Sequence, residues 1–285
     1  MNVQQVGVIG AGTMGNGIAQ VFAMKGFEVI LVDVSDAALQ KGLAAIGNSL
    51  GRLVKKGALA EGAVAGILAR IRPATALASL AACQLVVEAA TENPSIKESI
   101  FRELDKAVPA DTVLASNTSS ISLTRIAAWV SQPQRVVGMH FMNPVPVMQL
   151  VEIIRAVQTS DDTWALVYQL SEALGKTPVT VKDGPGFVSN RILMPMINEA
   201  AFALYENLAT PEDIDTVMKL GMNHPIGPLA LADLIGLDTC LSIMDILYHE
   251  FRDSKYRACP LLAQLVSAGH LGRKSGHGFY QYDAA

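Results

Sequence analysis

Six residues near the start, Gly10-Ala11-Gly12-Thr13-Met14-Gly15, decide most of what this chain can become. Alone, the pattern G-x-G-x-x-G is weak evidence in a glycine-containing sequence. Here an apolar run of strand length, residues 6–9, leads directly into it, and helical periodicity begins directly after it. In that setting each glycine has a task. Gly10 permits a tight turn, Gly12 lets backbone approach a pyrophosphate, and Gly15 lets the helix pack close to the sheet. The helix N-terminus then offers N–H donors and positive potential to the phosphates. Asp33 closes the next apolar run, EVILVD, at about the ~20-residue interval where an acid meets ribose hydroxyls. Such an acid repels a 2′-phosphate, and no arginine follows in Val34-Ser35-Asp36 to attract one. The pattern predicts a turn that takes NAD rather than NADP. A flavin fits the same fingerprint, and the plainer alternative is a glycine turn with a capping aspartate.

That turn opens a series. Apolar runs at 6–9, 28–32, 85–87, 112–114 and 136–139 read as strands, and the segments near 14–25, 36–56, 94–107 and 162–174 read as helices. The alternation predicts a doubly wound α/β fold, a parallel sheet covered on both faces. The helix near 94 has clear start chemistry: Asn93 as N-cap, Pro94 as first residue, and Glu98 with Arg102 one turn apart. A short apolar run at 178–181 ends in Lys182-Asp183-Gly184-Pro185-Gly186, which marks the domain boundary. The expected division is 1–184, a nucleotide-binding Rossmann domain, and 185–285, a smaller all-helical domain. Residues 187–205 and 233–251 are apolar around more than one stripe, more than a domain of that size can bury alone, so a dimerising surface is expected there.

Composition excludes several classes. With 51% hydrophobic residues and a mean hydropathy of +0.33, a well-packed core is expected. The net charge is −4 and the longest basic cluster is Lys55-Lys56, which leaves no footprint for nucleic acid. The three cysteines, Cys83, Cys240 and Cys259, show no paired metal-ligand spacing and read as reduced bystanders, so no metal is expected. The opening MNVQQVGVIGAGTMG lacks a basic n-region, and no apolar stretch is long enough to span a membrane. A soluble, cytoplasmic protein is expected.

Chemistry gathers in the stretch GMHFMNPVPVMQLVE, residues 138–152. His140 closes one apolar run, and Glu152 sits inside the next between Val151 and Ile153. A lone carboxylate in such a run is costly to bury unless paired. Oxidising an alcohol beside a nicotinamide needs a base near neutral pKa, and imidazole held by a carboxylate fits. A core histidine satisfied by a nearby acid fits equally well on the pair alone. The group Ser116-Asn117-Thr118-Ser119-Ser120 follows a strand, where open α/β sheets bind ligands, though one of its residues could merely cap the helix at 122–129. Asn190 begins the first helix after the boundary and could polarise a carbonyl, or be an ordinary polar helix residue.

Taken together, GAGTMG, ENPSIK, SNTSS, HFMNPVPVMQLVE, DGPGFVSNRI, HPIGPL with DLIGLD, and GRKSGHGFY resemble the 3-hydroxyacyl-CoA dehydrogenase family across essentially the whole chain. Within it the sequence looks most like the stand-alone 3-hydroxybutyryl-CoA dehydrogenases of bacterial type. The resemblance implies a reversible hydride exchange between an (S)-3-hydroxyacyl-CoA and NAD, and a Rossmann domain joined to a helical, dimerising one. It implies His140 as general acid/base, Glu152 as its orienting partner, and Ser119 and Asn190 as the groups holding the 3-oxygen. It also matches Gly10, Gly12, Gly15 and Asp33 to the cofactor turn, and Glu92, Lys97, Ser119, Asn143 and Lys274 to positions lining the NAD site. Ser49 and Lys56 match positions that contact CoA. The doublet Lys55-Lys56 could meet a CoA phosphate or be a solvated helix end, and Gly51 weakens the helix before it. His224 stands where a larger aromatic is expected and receives no catalytic role. Two rival readings stand beside this one. A dehydrogenase of a free sugar acid such as L-gulonate would share His140, Glu152 and Asn190 without needing Lys56. A non-catalytic NAD-binding protein would need none of them.

Overall fold

The structure, a computed structural model, describes residues 3–282 and parts into two compact units between Asp183 and Gly184. In the first unit the chain runs β1 (Gln5–Ile9), α1 (Thr13–Met24), β2 (Glu28–Val32), α2 (Asp36–Lys55), α3 (Ala63–Ala69) and β3 (Ile71–Ala74). It continues through β4 (Leu85–Glu88), α4 (Pro94–Ala107), β5 (Val113–Ser116), α5 (Leu123–Ala127), β6 (Val136–Phe141), β7 (Leu150–Arg155), α6 (Asp161–Ala173) and β8 (Thr177–Lys182). The strands form one sheet in the order β3-β2-β1-β4-β5-β6-β7-β8. The order reverses between β1 and β4, so the loops leaving those two strands diverge to opposite faces and open a crevice.

The first six strands are all parallel, as the alternation predicts. β7 departs from that expectation and runs antiparallel to β6. The reason is the length of the connection: a parallel crossover needs a dozen or more residues, and 142–149 are too few. Strands in the middle bury both faces: Val6, Val8, Val87, Val137 and Met139 pack in one cluster with Ile18, Phe22 and Val167, and Val86, Leu114 and Val136 are buried on the other face. β3 has no apolar signature, since Arg72 and Pro73 interrupt it and only Ile71 is buried. A proline is tolerated there because β3 is the sheet's edge. α2 passes through Gly51 unbroken, anchored by Leu39, Ile46 and Leu50, all buried. α4 begins as the sequence predicts, with the Asn93 side chain accepting from the N–H groups of Ser95 and Ile96.

The second unit is helical: α7 (Ser189–Tyr205), α8 (Pro211–Thr216), α9 (Pro228–Ile235), α10 (Leu237–Phe251) and α11 (Pro260–Ser267). Its core joins Met194, Ile197 and Ala201 of α7 to Leu237, Cys240, Met244 and Leu247 of α10 and Leu262 of α11. The single helix expected over 233–251 is in fact two. Gly236 breaks it, at φ +104°, a conformation that strains any residue with a side chain. Asp233 then pins the end of the chain, accepting from the N–H groups of Phe279 and Tyr280 and from the Tyr282 hydroxyl. Among the described residues no helix is long and apolar enough to cross a membrane, and no group of three or more His, Cys, Asp or Glu could hold a metal ion. All three cysteines are buried and unpaired, and burial pushes the Cys83 and Cys240 thiols up to about 12, far from a reactive thiolate.

Candidate active site

The glycine turn leaves β1 and enters α1 with the geometry a pyrophosphate requires. Gly10 sits at φ +97°, and a Cβ at Gly15 would lie 1.7 Å from the carbonyl oxygen of Gly10. Any side chain at Gly15 would therefore push α1 off the turn. Above Gly12 a Cβ would meet nothing within 4 Å, so the space beside the turn is open. No side chain caps the N-terminus of this twelve-residue helix, which leaves its first N–H groups available to an anion. Asp33, at the end of β2, accepts from the Ala11 N–H at 2.9 Å and from the Ser35 N–H at 3.1 Å. It braces the turn, and each carboxylate oxygen keeps a further lone pair. These features fit a dinucleotide.

Beside the turn, at the reversal of strand order, lies a pocket of 270 Å³. Met14 forms one wall, the loop after β4 (Ala89, Thr91, Glu92) a second, and the loop after β5 (Thr118, Ser119) a third. The loops are bound to each other. Glu92 accepts from the Thr118 hydroxyl at 2.7 Å and, with its other oxygen, from the Ser119 N–H. Asn117, next to them, accepts from the Phe141 N–H at 2.9 Å and so fastens this loop to β6.

β6 and β7 deliver the histidine and the glutamate. In their antiparallel register His140 stands directly opposite Glu152, so both side chains emerge on the same face. His140 Nδ1 lies 2.8 Å from a Glu152 oxygen, and both residues are almost wholly buried. At the other side of the ring, Nε2 lies 3.0 Å from Ser119 Oγ. A carboxylate on Nδ1 assigns the proton to that nitrogen in the neutral ring, which leaves Nε2 as the acceptor. Ser119, His140 and Glu152 thus form one continuous hydrogen-bonded line that reaches the pocket at Ser119. Such a line can pass a proton to or from an oxygen placed there.

Other expected site residues lie elsewhere. Lys97 does border the pocket, but its ammonium is buried against Glu88. Asn143 is exposed on the loop after β6. Ser49 and Lys56 share one face of α2, two turns apart, with Lys56 exposed as the C-cap. Asn190 is half-buried on the first turn of α7, in the second unit. Lys274, also in the second unit, bonds Asp238 at 2.7 Å. The buried group of Glu88, Lys97 and Ser116 was not anticipated by sequence. Its faint signal is a charged residue closing the apolar run LVVE, and a lysine on the helix face that also carries Phe101 and Leu104.

Comparison with known proteins agrees along the whole chain. Residues 5–184 match the family model described as 3-hydroxyacyl-CoA dehydrogenase, NAD binding domain, and 186–282 match that family's C-terminal domain. A probable 3-hydroxybutyryl-CoA dehydrogenase of Deinococcus radiodurans is 55% identical over 276 residues, covering 97% of this chain and 99% of its own. Its counterpart in Bacillus subtilis is 54% identical over 283 residues, covering 99% of each. Among solved structures, the (S)-3-hydroxybutyryl-CoA dehydrogenase PaaH1 of Ralstonia eutropha superposes with a TM-score of 0.96 at 57% identity, covering 99% of this chain and 100% of its own.

Proposed function

We infer the reaction from one premise: the chain belongs to the 3-hydroxyacyl-CoA dehydrogenase family. It is an NAD-dependent oxidoreductase, and the reaction assigned to it interconverts (S)-3-hydroxybutyryl-CoA and acetoacetyl-CoA. The observation that carries this reading is the line of Ser119, His140 and Glu152 beside the glycine-turn pocket. NAD, when bound, supplies the donor or acceptor of hydride. The chain's own residues handle the proton. His140 Nε2 takes the hydroxyl proton in oxidation and returns it to the 3-oxygen in reduction, while Glu152 holds Nδ1–H and stabilises the imidazolium. The Ser119 hydroxyl donates to the same oxygen and offsets its developing charge. The second donor role, given to Asn190, rests on the resemblance of GFVSNR, and loss of kcat in Asn190→Ala checks it.

Gly10, Gly12 and Gly15 are assigned to the pyrophosphate and Asp33 to the adenosine ribose, with a preference for NAD over NADP. Glu92 and Lys97, like Asn143 and Lys274, are carried as cofactor contacts by resemblance. Ser49 and Lys56 are assigned to CoA. The second unit is assigned the homodimer contact. Leu208, Val217, Leu220 and Met222 are exposed there, and Leu208 and Val217 border an apolar groove of about 550 Å³ with Met196, Ala200 and Met218. Light scattering at micromolar concentration should give twice the chain mass.

The deciding experiment measures NADH consumption with acetoacetyl-CoA, free acetoacetate and the oxidised form of L-gulonate. The CoA ester should be favoured strongly, because contacts remote from the reacting carbon help hold it in place. Lys56→Ala should raise KM for the ester with kcat nearly unchanged, and the effect should shrink as ionic strength rises. Equal turnover of the free acids would replace the CoA reading with the sugar-acid one.

A further inference from the structure

We propose that Glu88 is a positioning residue for this reaction: its buried carboxylate ties together the two loops that wall the cofactor pocket, and so holds Ser119 against His140. The inference rests on the roles given above to Ser119 and His140. Glu88 is the last residue of β4, and its neighbours in register are Ile9 on one side and Ser116 on the other. One carboxylate oxygen accepts from the Ala90 N–H at 2.9 Å, which fixes the start of the loop after β4. Its other oxygen accepts from the Ser116 hydroxyl at 2.9 Å and from the Lys97 ammonium. Ser116 Oγ in turn accepts from the Thr118 N–H at 3.2 Å, which fixes the start of the loop after β5. The same loops meet again further out, where Glu92 accepts from Thr118 and Ser119. They are joined by two rungs, and Ser119 lies at the outer one.

Burial makes the inner rung informative. Glu88 and Ser116 are 0% exposed and Lys97 is 1%. A buried ion pair is rarely the cheapest way to stabilise a core, since well-packed apolar residues often do as well or better. Packing alone therefore gives no reason for three polar side chains here. Their contacts do: the carboxylate and the hydroxyl each hold a loop backbone N–H, and both loops line the pocket. Lys97 holds the carboxylate in place from the helix side.

Glu88→Gln is the direct test, but it leaves Lys97 buried without its counter-charge and can prevent folding. Ser116→Ala cuts the link from Glu88 to the Thr118 N–H and leaves both charged groups of the Glu88–Lys97 pair present. In the full chain it should lower kcat for acetoacetyl-CoA reduction about tenfold and raise the Kd for NADH about threefold, as small misplacement of positioned groups does. A purely structural role would lower Tm and move neither quantity per folded molecule. That result, an unchanged kcat with an unchanged NADH affinity, overturns the proposal. Should the wild type fail to reduce acetoacetyl-CoA, the reaction assignment falls, and fluorescence titration with NADH still decides whether Ser116 and Glu88 hold the pocket.

Discussion

Two buried carboxylates stand near the carboxyl ends of the parallel strands, and their partners differ. Glu88 and Glu152 are both inaccessible, both lie at strand positions, and each is paired with a nitrogen base. Glu88 faces a lysine and has each of its oxygens engaged, by Ala90, Ser116 and Lys97. Glu152 faces a histidine whose far nitrogen meets a hydroxyl at the pocket's edge. The first pair is tied on every side to protein groups inside the core, so it forms a fixed strut. The second pair has an outlet that the first lacks, because the far ring nitrogen of His140 reaches a hydroxyl beside the pocket. The difference lies in the partner, not in the acid.

Breaking the second pair should cost the most activity. His140→Gln should lower kcat by about 10²–10⁴, the usual loss on removing a general acid/base, while NADH affinity by fluorescence titration stays near wild type. Glu152→Gln should follow with a smaller loss, since the ring remains but its tautomer is no longer enforced. Either variant with full kcat and an intact fold would place the proton transfer elsewhere.

Breaking the first pair should, besides its effect on the pocket, cost stability. Lys97→Met leaves Glu88 buried with no counter-charge, and urea denaturation should show a loss of about 3–5 kcal/mol. A loss below about 1 kcal/mol would mean that the strut is not charged in the folded chain.

The smallest effect belongs to a third pair, Asp105 with Arg135, at 2.7 Å. Partial burial alone would raise the Asp105 carboxyl. The Ser131 N–H and the Arg135 guanidinium outweigh it and hold the group below the usual carboxylate range. A depressed pKa adds stability above the unfolded value, and that stability is lost as pH falls through the folded one. Asp105→Asn should therefore cost about 1 kcal/mol at neutral pH. Denaturation curves of variant and wild type should converge once the medium is acidic enough to protonate Asp105. A gap that persists in acid would remove the charge from the explanation.

The glycine turn and the pairing of His140 with an acid were legible in sequence because each shows in a short local pattern. The inner strut was not, and three strand ends explain why. Apolar runs suggest strands at 85–87, 112–114 and 136–139, whereas the strands extend to Glu88, Ser116 and Phe141. Each extension adds a buried polar group: Glu88, Ser116 and His140. Hydrophobic periodicity reports burial in apolar surroundings, so it falls silent where a strand leaves the core and meets polar partners. The pairing of Lys97 with Glu88 adds a second obstacle. In the sequence Lys97 is matched only to the NAD site, by resemblance, and only the packing of α4 on the sheet sets it against Glu88. The return of β7 was hidden for another reason. Its direction depends on the length of residues 142–149, not on any residue type.

That return also governs which changes of chain length the enzyme can absorb. Side chains alternate faces along a strand, so slipping β7 by one residue would turn Glu152 to the opposite side of the sheet from His140. Residues 142–149 lie outside the ladder and can lengthen or shorten while the pairing of His140 with Glu152 persists. Drift by insertion and deletion is thus channelled into the loop, where it can reshape the surroundings of Asn143. Within the two strands, a single lost residue would separate His140 from Glu152.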